Sequence, residues 1–219
     1  MASLTPAELP PILPVFPLQG ALLLPGGQLP LNIFEPRYRA MTDDAMGGPR
    51  LIGMIQPKVR ERLAPDDKPL LHRTGCVGKI TSFTETSDGR YLINLTGICR
   101  FAVARELPPM HGYRRVEPDW SAYRCDFDAP AETAFDRGAL VEAFKAYLAR
   151  NDFAADWKAV EGTCTADLVV LLAAMCPFTP IEKQALLEAA DAAERGRVLT
   201  SLLAMGRGVG KGEPPHRMN

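Results

Sequence analysis

The chain has 219 residues, of which 47% are hydrophobic and 23% are charged, ordinary values for a globular protein with a real core. Lysine and arginine number 25 against 26 aspartates and glutamates, a formal charge of -1, so no overall basicity favours a nucleic-acid partner. The longest aliphatic run, residues 168–176, is far shorter than the roughly 20 residues of a membrane span, and the proline-interrupted start lacks the positive region of a secretion signal.

Short apolar runs separated by proline and glycine fill the first half of the chain, a pattern typical of β-strands and turns. We predict strands at residues 14–18, 28–34 and 50–57, on both sides of a hairpin within residues 75–106, and at 113–123. Asp88-Gly89 predicts a two-residue hairpin turn, and Gly97 predicts a bulge or a corner. Because proline cannot donate to a ladder, the first strand is predicted at a sheet edge, and Pro30 indicates an edge or a bulge in the second. Six or more such strands indicate a small barrel or a folded-over sheet.

One short helix is predicted among the strands, beginning at the stretch EPRYRAM. Pro36 fits the first helical position, and Glu35 lies beside the positive N-terminus of that helix. Gly47-Gly48 then end the helix.

From Glu132 onward the sequence becomes alanine-rich and helical in its periodicity. An apolar face of one helix is formed by Leu140, Phe144, Tyr147 and Leu148. Residues 166–175 are apolar nearly all round and predict the central, buried helix. Capping boxes, Thr179 with Glu182 and Asp191 with Glu194, predict the starts of two further helices. The predicted organisation is a Pro-rich leader at 1–12, a β-rich lobe at 13–125, a helical lobe at 126–206 and a flexible tail at 207–219.

The order and spacing of several motifs resemble a known family. PVFPLQGALLLPGGQLPLNIFEPRYRAM, then IGMIQP, GCVGKI and GRYLINLTGICRF, are similar to the N-terminal, substrate-binding domain of Lon-type ATP-dependent proteases. The stretch KQALLEAADAAERGRVLTSLL resembles the helical half of that domain, so the similarity extends over residues 10–205. It implies an α+β fold, a PUA-like β pseudobarrel with a short helix followed by a C-terminal α-helical bundle.

The resemblance implies a non-catalytic polypeptide-binding module, an adaptor or a holdase in protein quality control. Its partners would be polypeptide clients and a separate ATP-dependent protease. The stretch GRGVGKG does not form a phosphate-binding loop, because Met205 stands where the first glycine is required and Gly212 where serine or threonine is required. The chain ends where the ATPase and peptidase modules of Lon would begin. We therefore expect no enzymatic activity, no cofactor, no bound metal and no membrane partner.

The stretch FEPRYRAM is the sharpest local motif and has two interpretations. In the functional one, Phe34, Arg37 and Tyr38 form part of a polypeptide-binding surface. In the structural one, Glu35 and Pro36 start the helix while Phe34 and Tyr38 pack under the barrel. The second is favoured, because a proline at the first position and an acid beside the N-terminus already explain the spacing.

An RNA-binding PUA-like protein is the alternative function. Arginines stand beside aromatic residues in the stretch GYRRVEPDWSAYR, which is what a base-stacking surface needs. The candidate nucleic-acid-binding residues are Arg114, Arg115 and Arg124. An outer barrel strand has the same composition, and the neutral overall charge favours that interpretation.

Other candidate sites are weaker. His72 and Cys76 stand four residues apart, but two ligands do not close a metal site. Asp43-Asp44 and Asp66-Asp67 are more typical of solvated charge than of acid–base or magnesium chemistry, and His111 has no acid or nucleophile beside it in the sequence. A third hypothesis is a hydrolase site or a ligand pocket in the barrel, which would include His111 or His72 among converging polar groups. The five scattered cysteines, with no CxxC pair, indicate free thiols in the reducing cytoplasm.

Overall fold

The structure, a computed structural model, describes residues 8–58, 69–127 and 135–206. Its elements are, in chain order, β1 (Leu13–Pro17), β2 (Gln28–Ile33), α1 (Pro36–Met46), β3 (Leu51–Pro57), β4 (Leu71–Glu85), β5 (Tyr91–Met110), β6 (Tyr113–Asp119), a 3-10 segment (Ser121–Phe127), α2 (Arg137–Asn151), α3 (Trp157–Gly162), α4 (Thr165–Met175), α5 (Pro180–Glu188) and α6 (Ala192–Met205). Asp66-Asp67 and the tail predicted from residue 207 lie outside the described residues. No helix in the described ranges has the length and apolar character that crossing a membrane requires.

The six strands form one mixed sheet in the order β2-β5-β4-β3-β1-β6. Because β5 also pairs with β6, five of the six strands close into a ring and β2 stays at an edge. β1 and β3 run parallel, and the other pairs are antiparallel. The long β5 makes the closure possible, since its first half pairs with β2 and its second half pairs with β6.

The described residues fall into two compact units. The first holds the six strands, α1, the 3-10 segment and α5, and the second holds α2, α3, α4 and α6. Alternating residues of the strands fill the core of the first unit, among them Leu13, Val15, Leu51, Val77, Phe101 and Val116. α5 falls within the predicted helical lobe, but in the structure it belongs to the unit of the strands.

The predicted edge position of β1 is wrong, although that of β2 is confirmed. β1 lies between β3 and β6, yet each of its prolines has a strand on one side only. Pro14 pairs with Arg115 of β6, and Pro17 pairs with Ile55 of β3. A central strand therefore tolerates two prolines, because the two ladders overlap by a single residue, Val15.

One turn and one strand differ from the predictions in length. Thr86 N donates to Arg90 O across the β4–β5 turn, so three residues form the loop rather than two. β6 ends at Asp119 and a 3-10 segment follows, so the predicted strand to residue 123 is too long. The predicted bulge at Gly97 is confirmed, because the β4–β5 register shifts between Val77 and Gly78.

The second unit contains the predicted apolar face of α2, all four residues of which are buried. α4 corrects a prediction. One face of it is buried, but Leu171 is exposed and Met175 is 71% exposed. An all-round apolar sequence predicts complete burial, yet the buried residues of α4 lie on one face: Leu168, Val169, Leu172 and Ala173.

Buried polar groups attach α5 to the strands of its unit. Gln56 of β3 donates from Nε2 to Pro180 O at 3.0 Å and to Gln184 Oε1 at 3.1 Å. Gln184 Nε2 donates to Thr74 O of β4 at 3.3 Å.

The predicted capping box at the start of α5 is confirmed, since Glu182 N donates to Thr179 Oγ1 and Thr179 N donates to Glu182 Oε2.

Candidate functional site

A groove of about 160 Å³ opens on the first unit beside the start of α1. We call it the Tyr38 groove, and its lining residues are Pro17, Arg37, Tyr38, Pro57, Pro69, Gly112, Tyr113 and Arg114. Pockets that hold small ligands or cofactors run to about 300–1,000 Å³. The groove is therefore matched to one or two side chains of a larger partner rather than to a cofactor.

Parallel pairing explains why two prolines meet in this groove. Pro17 and Pro57 end β1 and β3, and the carboxyl ends of parallel neighbours lie at the same edge of a sheet. Proline has no N–H, so this wall is apolar and poor in donors. On the opposite side, Gly112 has a φ of 83°, which lets the β5–β6 turn reverse tightly and bring Tyr113 into the lining.

Tyr38 forms the floor of the groove. Its ring is buried and packs on Phe16 with centroids 4.1 Å apart. Arg37 lies over the same ring, 4.6 Å from its centroid, and pairs with Glu35 at 2.7 Å. Burial raises the pKa of Tyr38, so the phenol stays neutral. Arg37 is 49% exposed at the rim of the groove, and the part of its guanidinium that is not bonded to Glu35 can stack on or hydrogen-bond a partner.

Arg114 lines the groove and has a structural role. Its guanidinium binds Glu106 in a bidentate pair at 2.6 and 2.7 Å and donates to Pro69 O at 2.7 Å. Paired donors of this kind are held strongly and directionally. Arg114 therefore fixes the wall at Pro69 rather than offering charge to a ligand.

Asp44 connects α1 to the β5–β6 turn at the end of the groove. Tyr113 donates its hydroxyl to Asp44 Oδ2 at 2.8 Å, and His111 Nδ1 donates to the same oxygen at 2.8 Å. Burial opposes ionisation of Asp44, but the hydrogen bonds from Tyr113 and His111 outweigh it and lower the pKa of that carboxyl. Burial and the bond to Asp44 raise the pKa of Tyr113 to about 12. We call Asp44, His111 and Tyr113 the Asp44 clip.

A family model for the substrate-binding domain of ATP-dependent protease La (Lon) matches residues 12–205. The chain belongs to the Lon substrate-binding domain family. Lon protease 2 of Myxococcus xanthus is 28% identical over 207 residues, and the Lon protease of Roseiflexus castenholzii is 26% identical over 208 residues. These alignments include 90% and 93% of this chain, but the chain spans only about a quarter of each relative, 24% and 25%.

Two solved structures have the same fold. The Lon N-terminal domain protein from Xanthomonas campestris superposes with a TM-score of 0.61 at 23% identity, covering 89% of this chain and 98% of that one. The N-terminal domain of Mycobacterium avium complex Lon protease gives a TM-score of 0.62 at 20% identity, covering 89% and 99%. The mixed six-stranded sheet with its helices is thus the fold of a Lon N-terminal domain.

Of the three residues predicted for polypeptide binding, the structure brings only two together in the groove of this Lon domain. Arg37 and Tyr38 line the groove, whereas Phe34 is 55% exposed and is not among the lining residues. The expectation that Phe34 packs under the barrel is wrong, because β2 ends at the buried Ile33 and the next residue, Phe34, is exposed. The prediction that Tyr38 is buried is confirmed.

The alternative nucleic-acid residues do not form a basic stripe. Arg114 is buried against Glu106, and Arg115, its neighbour along the strand, donates to Pro108 O. Arg124 is exposed in the 3-10 segment. RNA binding is therefore not favoured, since phosphate contacts require several free cations on one surface.

The structure also shows where the residues of the metal and hydrolase hypotheses lie. His72 and Cys76 both lie in β4, where four residues span about 13 Å, and no cluster of three potential ligands occurs in the part of the chain that the structure describes. His111 has an acid beside it, Asp44, which the sequence did not reveal. The hydrogen bond from the His111 imidazole to the Asp44 carboxylate ties the β5–β6 turn to α1. This contact has a structural explanation and does not require a catalytic one.

A larger cavity, about 480 Å³, lies in the second unit between α2 and α3. Its lining residues are Arg137, Val141, Lys145, Trp157, Val160 and Glu161. Arg137 donates to Val160 O at 2.7 Å and Lys145 pairs with Glu142 at 2.8 Å. Arg137 thus joins α2 to α3, and Lys145 lies over the Trp157 ring of α3, 5.6 Å from its centroid. The Tyr38 groove is the better candidate site, because its lining includes Arg37 and Tyr38, two of the three residues predicted for polypeptide binding.

We expect replacement of Asp44 by asparagine to weaken the fold in a pH-dependent way. A carboxyl whose pKa is lower in the folded protein stabilises it above the unfolded value, about 3.9, and this contribution is lost as the pH falls through the folded pKa. Thermal unfolding should show the wild type more stable than Asp44→Asn at pH 7 and the gap closing below about pH 4. The exposed neighbour Asp43→Asn is the control, and a gap that persists in acid would contradict the assignment.

Proposed function

We propose that this Lon substrate-binding domain recognises extended or partly unfolded polypeptide without transforming it, and delivers it to a separate ATP-dependent protease. The observation that carries the proposal is the match of residues 12–205 to a substrate-binding domain. The relatives that align along nearly the whole chain are themselves Lon proteases. Acting as a holdase, without delivery, would use the same binding surface.

The Tyr38 groove supplies the chemistry for such recognition. Its walls of proline and tyrosine accept an apolar or aromatic side chain, and exposed Arg37 can bind a carbonyl or a carboxylate of the same segment. Neutral tyrosines and a fully paired Arg114 leave little fixed charge inside the groove. Selection would therefore follow shape and apolar character more than charge, as recognition of many different unfolded clients requires.

Binding to reduced, carboxymethylated α-lactalbumin and to its native form, followed by fluorescence anisotropy, tests the function. We expect the unfolded form to bind and the native form to bind far more weakly. The client should also remain intact, as judged by gel electrophoresis. Equal and negligible binding to both forms would overturn the proposal, as would cleavage that a single substitution in this chain abolishes.

The part played by the groove is tested by Arg37→Ala. Loss of the rim cation should weaken binding of the unfolded client by about three- to tenfold. The matched control is Arg197→Ala in the second unit, because the two arginine side chains are 49% and 53% exposed and each pairs with a glutamate. If both variants bind the unfolded client as tightly as the wild type does, the client binds at a surface other than the groove.

A further inference from the structure

One stretch of β4 has an open edge in the described structure. β4 pairs with β3 only as far as Lys79, but with β5 as far as Glu85. Residues 81–85 therefore have a strand on one side only, and all five are exposed. An edge of this kind presents unpaired main-chain groups that another strand can bind.

The hydrogen-bonding pattern shows which residues face outward. Thr86 N donates to Arg90 O, and directly opposed residues in an antiparallel ladder alternate between bonded and non-bonded pairs. Ser82 and Thr84, paired with Asn94 and Leu92, therefore turn their main-chain groups toward β5. Phe83 and Glu85 turn theirs to the open side.

The same alternation shows which main-chain groups of β2, the edge strand on the other side of β5, face outward. Pro30 of β2 pairs with Asn94, and the alternation turns the Pro30 nitrogen to the open side. Since proline has no N–H, this edge is blunted against a further strand. Residues 81–85 of β4 contain neither proline nor lysine, so these two devices that protect an edge are missing there. The bulge between Ile80 and Ser82 precedes the main-chain groups of Phe83 and Glu85 and leaves them open.

Side chains at the β4 edge favour an extended partner. Threonine, serine and phenylalanine make up four of the five residues, and threonine and phenylalanine in particular suit a pleated strand. The Phe83 ring is partly exposed and packs on Tyr91 with centroids 4.9 Å apart. A residue added opposite Phe83 would meet this aromatic surface, an arrangement that stabilises cross-strand pairs.

We propose that residues 81–85 bind an extended segment of an unfolded polypeptide as an added strand of the sheet. The inference rests on the proposed function and adds the mode of recognition. A main chain is the ligand that matches alternating N–H and C=O groups, and such contacts are indifferent to client sequence. A second copy of this chain is a poorer occupant, because stable interfaces use about 20–30 residues a side and this edge has five.

Amide hydrogen exchange measured by NMR tests the proposal on the wild type. The probes are unfolded, carboxymethylated α-lactalbumin and a short peptide of alternating valine and threonine. Binding should slow exchange of the Phe83 and Glu85 amides, while the Thr84 amide, already bonded to β5, changes little. N-methylation of alternate peptide amides should weaken binding by about tenfold or more, because it removes the main-chain donors.

Two variants at one position separate the main chain from the ring. Phe83→Ala removes the ring and keeps the outward N–H, whereas Phe83→Pro removes both and leaves the bonds of Ser82 and Thr84 to β5 in place. We expect Phe83→Pro to bind the peptide about tenfold more weakly than Phe83→Ala, with circular dichroism confirming that both fold.

The outcomes distinguish this inference from the function on which it rests. A client that binds without protecting Phe83 and Glu85 overturns strand addition and leaves the proposed function standing. No binding of either probe overturns the proposed function itself. Protection of both amides in the protein without any client, accompanied by dimer formation in light scattering, would assign the edge to a second copy of this chain.

Discussion

Replacing Arg100 by methionine should lower the free energy of unfolding by about 3–5 kcal/mol. The side chains of Arg100 and Asp126 are 0% and 6% exposed. Arg100 donates from Nη2 to Asp126 Oδ1 at 2.7 Å and from Nε to Asp126 Oδ2 at 2.9 Å. It also donates from Nη1 to Leu187 O of α5 at 3.1 Å. Methionine would leave a buried carboxylate without its cation, which costs far more than the pair itself contributes.

Urea unfolding of the wild type and the variant measures this effect, and the chain offers a matched control on the same strand. Arg105 pairs with Glu117, but those side chains are 67% and 39% exposed. Arg105→Met should therefore lower the free energy of unfolding far less than Arg100→Met does. Similar losses at both arginines would contradict the distinction between a buried and a solvated pair. Adding Asp126→Leu to Arg100→Met should recover part of the loss, since the orphan carboxylate is then removed.

Gly97→Ala is the second substitution with a large expected effect, a loss of about 3 kcal/mol or more. A Cβ on Gly97 would lie within 3.0 Å of both the carbonyl oxygen and the carbonyl carbon of Leu24, a separation that real Cβ atoms essentially never show. The neighbouring chain cannot move away without breaking hydrogen bonds, because Gly97 N donates to Gly27 O at 2.8 Å and Gly26 N donates to Gly97 O at 3.0 Å. The clash is therefore with main chain that is fixed on both sides.

Thermal and urea unfolding should separate this substitution from Gly162→Ala. Gly162 ends α3, and a Cβ there meets nothing within 4 Å. Alanine at that position should be neutral or stabilising by up to about 1 kcal/mol, because it reduces the freedom of the unfolded chain. If Gly97→Ala proved as benign as Gly162→Ala, the close approach of β5 to Leu24 would not exist in solution.

Recognition in this Lon substrate-binding domain would combine two contacts of different chemistry. In these proposals the Tyr38 groove would select a side chain, and the open edge of β4 would bind main chain. Each contact alone is small, and joining two of them along one client raises the apparent affinity through effective concentration. Arg37→Ala and Phe83→Pro combined should therefore weaken binding of a long unfolded client more than either does alone, if one segment reaches both.

Local sequence determined the features that depend on neighbouring residues. Pro36 at the start of α1, the capping box of Thr179 and Glu182, and the left-handed turn at Gly89 follow from short-range sterics and hydrogen bonds. The apolar spacing of α2 likewise fixed which of its faces is buried. The family, too, could be identified from motifs along the chain, since their order and spacing are properties of sequence.

Tertiary structure decided everything that joins distant residues. The Tyr38 groove unites residues from Pro17 to Arg114, and the Asp44 clip joins residues 67 positions apart. Arg114 was a candidate nucleic-acid contact until its pairing with Glu106 was visible, and Phe34 was expected to be packed, whereas it is exposed just after the end of β2. Spacing along the chain reports local geometry, whereas burial and pairing depend on which strands become neighbours, and that is settled only when the sheet closes.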